Sequence, residues 1–264
     1  MRKPLIYLLS ATSILLGGCY TESYFQSPLQ GNATSYKAIP RQADSLSSAT
    51  YINGTIFGGG ANELINDNFC GFTGTIHRAH NFGMFQGFYG ITGSAGIYQT
   101  DDRKDRKVRD QYIRTIIPFK NHFFGSLGAT SGINIVMPFK NGEWRAVGVE
   151  GSWQKEFGNY YQFRRSLPDS NAVFIERRNY YATWGISSEV LGKVSKHITL
   201  GYKAAYIASF RPIESTAHDG EYLYPAYFCQ TIHLATDRFN ANAQLNIGTY
   251  VFGMQLGFGY RIGR

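Results

Sequence analysis

The six histidines and three cysteines are the residues of this chain best suited to chemistry. In "HRAH" His77 and His80 stand three apart, which places them on opposite faces of a strand and brings them together only on a helix. No acidic residue or cysteine close by in sequence completes a metal set, and His122, His197, His218 and His233 are scattered. No serine occupies a G-x-S-x-G elbow; "GVEGSW" at 148–153 lacks that pattern. "GGG" at 58–60 lacks the Lys-Ser/Thr of a phosphate loop and reads as a glycine-rich turn or barrel corner. The expectation is a non-enzyme with no catalytic, metal or cofactor-binding residues. A lipid-modifying barrel, using Ser with His and a carboxylate, is the enzymatic alternative.

One cysteine is placed differently. Arg2 and Lys3 precede an apolar run from Pro4 to Leu16 that is too short to span a bilayer. Gly17 and Gly18 then lead to Cys19. This is the pattern of a secretory signal, and Leu16-Gly17-Gly18-Cys19 resembles a bacterial lipobox. The resemblance implies cleavage before Cys19 and a diacylglycerol on its thiol, the only non-protein group expected. Two or more acyl chains anchor a protein stably, whereas one binds only marginally. Tyr20 stands where an aspartate would favour inner-membrane retention, so the expected location is the outer membrane, lipid-anchored and membrane-integral.

The chain divides into a signal peptide at 1–18, a lipidated tether or arm at 19–47 and a β-barrel domain at 48–264. Loss of Arg2 and Lys3 from the 26 basic residues leaves a net charge of +6 against 18 acidic ones. Aromatic residues make up 16% and charged residues 17%, with 30 glycines. Soluble domains carry about a quarter charged residues, so this balance fits a barrel in lipid. The basic excess suits anionic head groups or an ordinary surface, and nucleic acid is not an expected partner of an exported chain. Cys70 and Cys229 are the candidates for one disulfide, which an exported compartment permits.

What positions these residues is a period of two. Phe239, Ala241, Ala243, Leu245 and Ile247 alternate with Asn240, Asn242, Gln244 and Asn246. Phe252, Met254, Leu256, Phe258, Tyr260 and Ile262 alternate with Gly253, Gln255, Gly257, Gly259 and Arg261. The same register recurs near 86–97, 126–137, 147–154, 182–190 and 198–206, and no helix keeps it. "KNGE" at 140–143 is a hairpin turn. Stretches 58–82 and 222–236 read as a short helix, a strand or both. The polar face is Gly, Ser, Thr, Asn and Gln rather than the Lys and Glu of a water-facing strand, which suits a crowded, hydrated lumen. Leu245, Ile247, Leu256 and Phe258 are expected to face lipid, and Asn242, Gln244, Gln255 and Arg261 the lumen. The fold class is all-β, an antiparallel up-and-down transmembrane β-barrel of roughly eight to twelve strands.

The ending "LGFGYRIGR" resembles the terminal strand of outer-membrane barrels from Bacteroidota, with Tyr260 as the aromatic near the end. The tail Gly263-Arg264 departs from the commoner terminal aromatic. The short final turn at 248–250 conflicts with the usual rule of long outer loops, which leaves the side of the anchor open. The functional expectation is an outer-membrane barrel lipoprotein acting as a structural or accessory subunit of a larger secretion, insertion or uptake complex, with outer-membrane lipids and protein subunits as partners. The alternatives are a small pore or lipid-modifying barrel, and a tethered soluble barrel binding a hydrophobic ligand.

Overall fold

The computed structural model describes residues 24–31, 35–42, 47–62, 67–101, 106–108, 111–113, 117, 119–195, 197–248 and 251–262. The expected signal peptide, with Leu16, and the expected lipidation site Cys19 lie outside the described residues. The strands are β1 (Tyr24–Phe25), β2 (Ser48–Ala61), β3 (Asp67–Phe82), β4 (Phe85–Thr100), β5 (Arg106–Val108), β6 (Gln111–Ile113), β7 (Lys120–Phe139), β8 (Gly142–Phe157), β9 (Phe174–Ile175), β10 (Tyr180–Lys193), β11 (Thr199–Ser209), β12 (Ile213–Glu214), β13 (Tyr222–Leu223), β14 (Ala226–Ala235), β15 (Phe239–Gly248) and β16 (Val251–Ile262). Ten of them, β2, β3, β4, β7, β8, β10, β11, β14, β15 and β16, form a closed up-and-down barrel. Closure comes from the antiparallel pairing of β16 with β2, from Val251↔Ala61 to Ile262↔Thr50, which leaves the wall without an open edge. The stretch 58–82 is therefore the β2–β3 hairpin, and 222–236 is β13 and β14.

The alternation sorts the two faces as expected. Leu245, Ile247, Leu256 and Phe258 point out, while Asn242, Gln244 and Gln255 are buried within and Arg261 is half-buried at the lumen mouth. Aromatic side chains gather outside at both strand ends. Phe82, Phe139, Trp144, Phe239 and Tyr260 mark one level; Phe123, Phe157, Tyr180, Phe228 and Phe252 mark the other. Between them the exposed surface is largely aliphatic, with Ile56, Ile91, Leu127, Ile186 and Leu256 all at least half exposed. Phe252 and Tyr260 lie on one strand, and at ~3.4 Å per residue and a tilt near 40° they are ~20 Å apart along the barrel axis. Aromatic girdles around an apolar band of this height are the surface of a transmembrane barrel.

The two ends differ. One carries the short turns β3–β4, β7–β8, β10–β11 and β14–β15, together with the start of β2 and the end of β16. The other carries the long connections β4–β7, β8–β10 and β11–β14. The final β15–β16 turn opens at this long-loop end although it is the shortest connection there.

Strict alternation breaks once in β8. Continuing the alternation of Val149 and Val147 back along β8 would point Arg145 at lipid and Ala146 inward. Instead the register shifts between Ile135 and Val136 and between Ser187 and Glu189, so that Arg145 pairs with both Val136 and Glu189. The extra residue on β8 is Ala146, and this bulge turns Arg145 into the lumen, where it is 1% exposed.

Candidate functional site

The lumen is where the polar side chains converge, and it is occupied by the chain's own N-terminal arm. The arm starts at the long-loop end. Tyr24 and Phe25 pair in parallel with Phe174 and Ile175, and Tyr24 N donates to Asn62 Oδ1 at 2.7 Å. Asn62 sits just past β2 with a φ of 67°, a backbone that asparagine tolerates better than most residues. A single helical turn, Pro28–Gly31, then drops Leu29 among Phe57, Phe69, Phe124 and Tyr160. Tyr160, from the helix Asn159–Ser166, donates to Gln26 O at 3.0 Å. Below it, Arg164 meets Glu156 at 2.6 Å, both fully buried. Burial works against the Arg164 charge, but the Glu156 carboxylate holds the guanidinium above its ordinary range.

Residues 35–42 continue toward the short-turn end. Their contacts descend the wall in order. Asn53 Nδ2 donates to Tyr36 O at 3.3 Å, His77 Nε2 to Ala38 O at 2.8 Å and Arg145 Nη2 to Ile39 O at 3.1 Å. Asn81 Nδ2 donates to Arg41 O at 3.3 Å, and Gln42 Nε2 reaches the turn carbonyl of Gly83 at 2.9 Å. The arm thus threads the barrel from one mouth to the other.

Where it nears the short-turn mouth, a charge cluster grips it. Arg145 lies 2.8 Å from Glu189 and 2.9 Å from Glu143, and its Nε donates to Gln86 at 2.8 Å. Tyr36 Oη donates to Glu189 Oε1 at 3.0 Å, and Gln42 N donates to Glu143 Oε2 at 2.7 Å. His233 stacks on the Tyr36 ring with centroids 4.2 Å apart. Its Nε2 is 2.7 Å from Glu189 Oε1, a close polar contact outside hydrogen-bond geometry. A second pair, Lys203 and Glu150 at 3.1 Å, lies deeper, and the arm's Lys37 is buried as well. A cavity of about 90 Å³ lined by Tyr36, Pro40, His197, Arg238 and Arg261 remains at the mouth, room for a few waters.

The lumen differs from the hydrated space that the small polar residues imply. Tyr51, Phe57, Phe69, Phe88, Tyr98, Phe124 and Tyr181 also point inward, all buried, and most pack against the arm or one another. A lumen filled by its own chain needs apolar surface to dock it.

His77 and His80 part as expected on β3: His77 enters the lumen, and His80 stacks outside on Phe82 and Tyr89. The Cys70–Cys229 bridge is not formed. Both cysteines are free, because Cys70 faces outward on β3 and Cys229 inward on β14, with three strands between them. Among the described residues no group of three His, Cys, Asp or Glu is arranged to hold a metal. Arg145, Glu143 and Tyr36 are site residues that sequence reasoning missed. Arg145 and its bulge break the very pattern used to assign the faces.

No protein-family model and no curated protein matches this chain. Among solved structures it is similar to an outer membrane channel from Pseudomonas putida F1, with a TM-score of 0.37, 10% identity and coverage of 86% of this chain and 100% of that one. The Pseudomonas putida toluene transporter TodX gives a TM-score of 0.35 at 10% identity, covering 92% of this chain and 74% of its own. Neisserial surface protein A gives 0.32 at 10%, covering 82% and 96%. At such low scores and identities these likenesses carry no argument about what this chain does.

Proposed function

We propose that the chain is an outer-membrane lipoprotein barrel that does not conduct, and that it serves as a structural or accessory subunit of a larger outer-membrane complex. The observation that carries this reading is the threaded arm. A ten-strand barrel is wide enough to leave space beyond its own side chains. Here that space holds residues 24–31 and 35–42, held by Glu189, Arg145, His77 and Asn53. A pore would need this arm to leave, at the loss of several buried charge-assisted hydrogen bonds.

With the lumen closed, the surface left for function is the outside and the long-loop end. That end is folded rather than loose. β1 and β9 pair, β12 and β13 pair, and Tyr24, Val173, Phe174 and Ile213 make a small apolar core beneath them. Tyr222 and Tyr224 stand exposed on this lid, a rigid aromatic surface of the kind protein partners use. An acyl anchor at Cys19 would give a barrel a second membrane attachment, more than residence alone requires, which favours an assembled role.

Two measurements test the reading. The purified full chain in planar bilayers should give no stepwise conductance, and a chain lacking residues 24–42 should give it. Steady conductance from the intact chain overturns the closed reading. A native pull-down in mild detergent should recover a stoichiometric outer-membrane partner. Recovery of the chain alone, across detergents that keep other complexes intact, overturns the accessory role.

A further inference from the structure

The direction of the arm decides where a lipid on Cys19 must go. We propose that the anchor inserts into the leaflet on the long-loop side of the membrane, so that the lipidated end lies at the cell surface while the arm returns through the lumen to the periplasmic mouth. The proposal rests on the reading of Cys19 as lipidated and of the barrel as an outer-membrane one.

Tyr24 sets the starting point. Its backbone nitrogen is bonded to Asn62, one residue beyond the end of β2, and its ring packs on Phe174 in the lid. Both lie past the girdle residue Phe252, which pairs with Gly60. Tyr24 is therefore at or beyond the membrane interface on the long-loop side. Four residues separate Cys19 from Tyr24, and whatever their path, the five steps between the two span at most roughly 17 Å. The opposite girdle is ~20 Å further down the barrel axis by the strand geometry given above. The direct route there is the lumen, which Leu29 and its aromatic neighbours, and then Tyr36 to Gln42, already fill. The near leaflet is within reach and the far leaflet is not.

Which side the long loops occupy follows from the wall. Short turns and both ends of the ten-strand wall sit together at one mouth, the arrangement of barrels whose turns face the periplasm. The arm crosses that wall's interior once. Residues 24 to 42 number 19, ample at ~3.3 Å each to cross an apolar band ~25 Å tall. An ordinary lipoprotein with a downstream barrel would keep its anchor beside the start of the first wall strand, at the periplasmic mouth. In this chain the arm carries the N-terminal end to the opposite mouth before β2 begins.

The test is cysteine accessibility in cells, using the full chain with Cys70 replaced by Ala and a membrane-impermeant maleimide. Thr21→Cys reports the segment beside the anchor, Asp219→Cys the lid and Lys140→Cys a short turn. The expected result is equal labelling of Thr21→Cys and Asp219→Cys in intact cells, with Lys140→Cys labelled only after permeabilisation. Labelling of Thr21→Cys only together with Lys140→Cys overturns the proposal, and so does labelling of both Thr21→Cys and Asp219→Cys only after permeabilisation. Mass spectrometry of the N-terminal peptide separates the premise from the topology. An unmodified Cys19 alongside surface-labelled Thr21→Cys sinks the anchor reading while leaving the path of the arm standing.

Discussion

Arg145 holds a full charge 1% exposed inside the barrel and spends it on two carboxylates, an amide and a backbone carbonyl. Such a cluster is neutral or mildly costly as a whole compared with an apolar filling, but removing one member leaves the others buried and uncompensated. Arg145→Met should therefore destabilise the barrel by about 3–5 kcal/mol, since Glu143 and Glu189 then face each other without their shared cation. Denaturant unfolding in lipid vesicles measures this, and a loss under 1 kcal/mol would mean that water reaches the cluster. Gly201 serves the same site by what it lacks. A Cβ there would sit 2.1 Å from His233 Nε2, so Gly201→Ala must push the ring off Tyr36 and Glu189. Crowding of this kind costs about 1–3 kcal/mol. Gly192→Ala, where nothing stands within 4 Å, is the control and should be near neutral in the same assay.

At the scale of the strand, the wall has two rules and one exception. The first rule is alternation, which sends Leu256 to lipid at mid-strand, paired with Ala243 and Ile56. Leu200 faces lipid too, one residue from the short-turn end of β11. Arginine on the lipid face costs about 2–4 kcal/mol at the midplane and close to zero at the interface. Leu256→Arg should thus be strongly destabilising and Leu200→Arg nearly tolerated, read as heat-modifiability on gels and as unfolding in vesicles. Equal effects would show that the apolar band is not in lipid. A substitution such as Gln255→Arg is a poorer comparison, because Gln255 is itself buried in a packed lumen. The second rule is that register is pinned by neighbours on both sides, and the bulge at Ala146 is the exception. Deleting Ala146 removes the extra residue and restores strict pairing, and because Arg145 then follows outward-facing Val147 directly, alternation alone keeps it in the lumen. That deletion should therefore be milder than Arg145→Met in the same unfolding assay, and a loss as large as that of Arg145→Met would show that the local twist of the bulge is itself needed to seat the guanidinium.

For the whole molecule, the wall and the arm are separable in kind. The ten-strand ladder closes through β2 and β16 and uses no hydrogen bond from the arm. The arm in turn makes its contacts with residues far away in sequence, 153 positions in the case of Tyr36 and Glu189. A chain lacking residues 24–42 should therefore still migrate as a folded barrel on unheated gels, but with a lower unfolding temperature than the intact protein. Failure to form any folded barrel would make the arm a part of the wall's folding nucleus instead of a later filling. The buried aromatics Phe57, Phe69, Phe88 and Phe124 would then line an empty lumen, which is why the loss in stability should be large.

The amino-acid sequence by itself determined the wall: period-two alternation with glycine and small amides on one face and large apolar residues on the other admits a closed barrel in lipid and little else, because lipid and lumen select opposite residue types on adjacent positions. It also determined the outward direction of Leu245, Ile247, Leu256 and Phe258, since face follows from parity once the lipid side is known. Three things waited for the tertiary structure. The inward turn of Arg145 did, because a bulge is an error in the local period that only the neighbouring strands reveal. The free states of Cys70 and Cys229 did, because spacing says nothing about which side of a wall a thiol occupies. The path of the arm did, because residues 24–42 have no periodicity of their own and take their conformation from Asn53, His77, Arg145 and Glu189, side chains from four wall strands that are brought together only when the barrel closes.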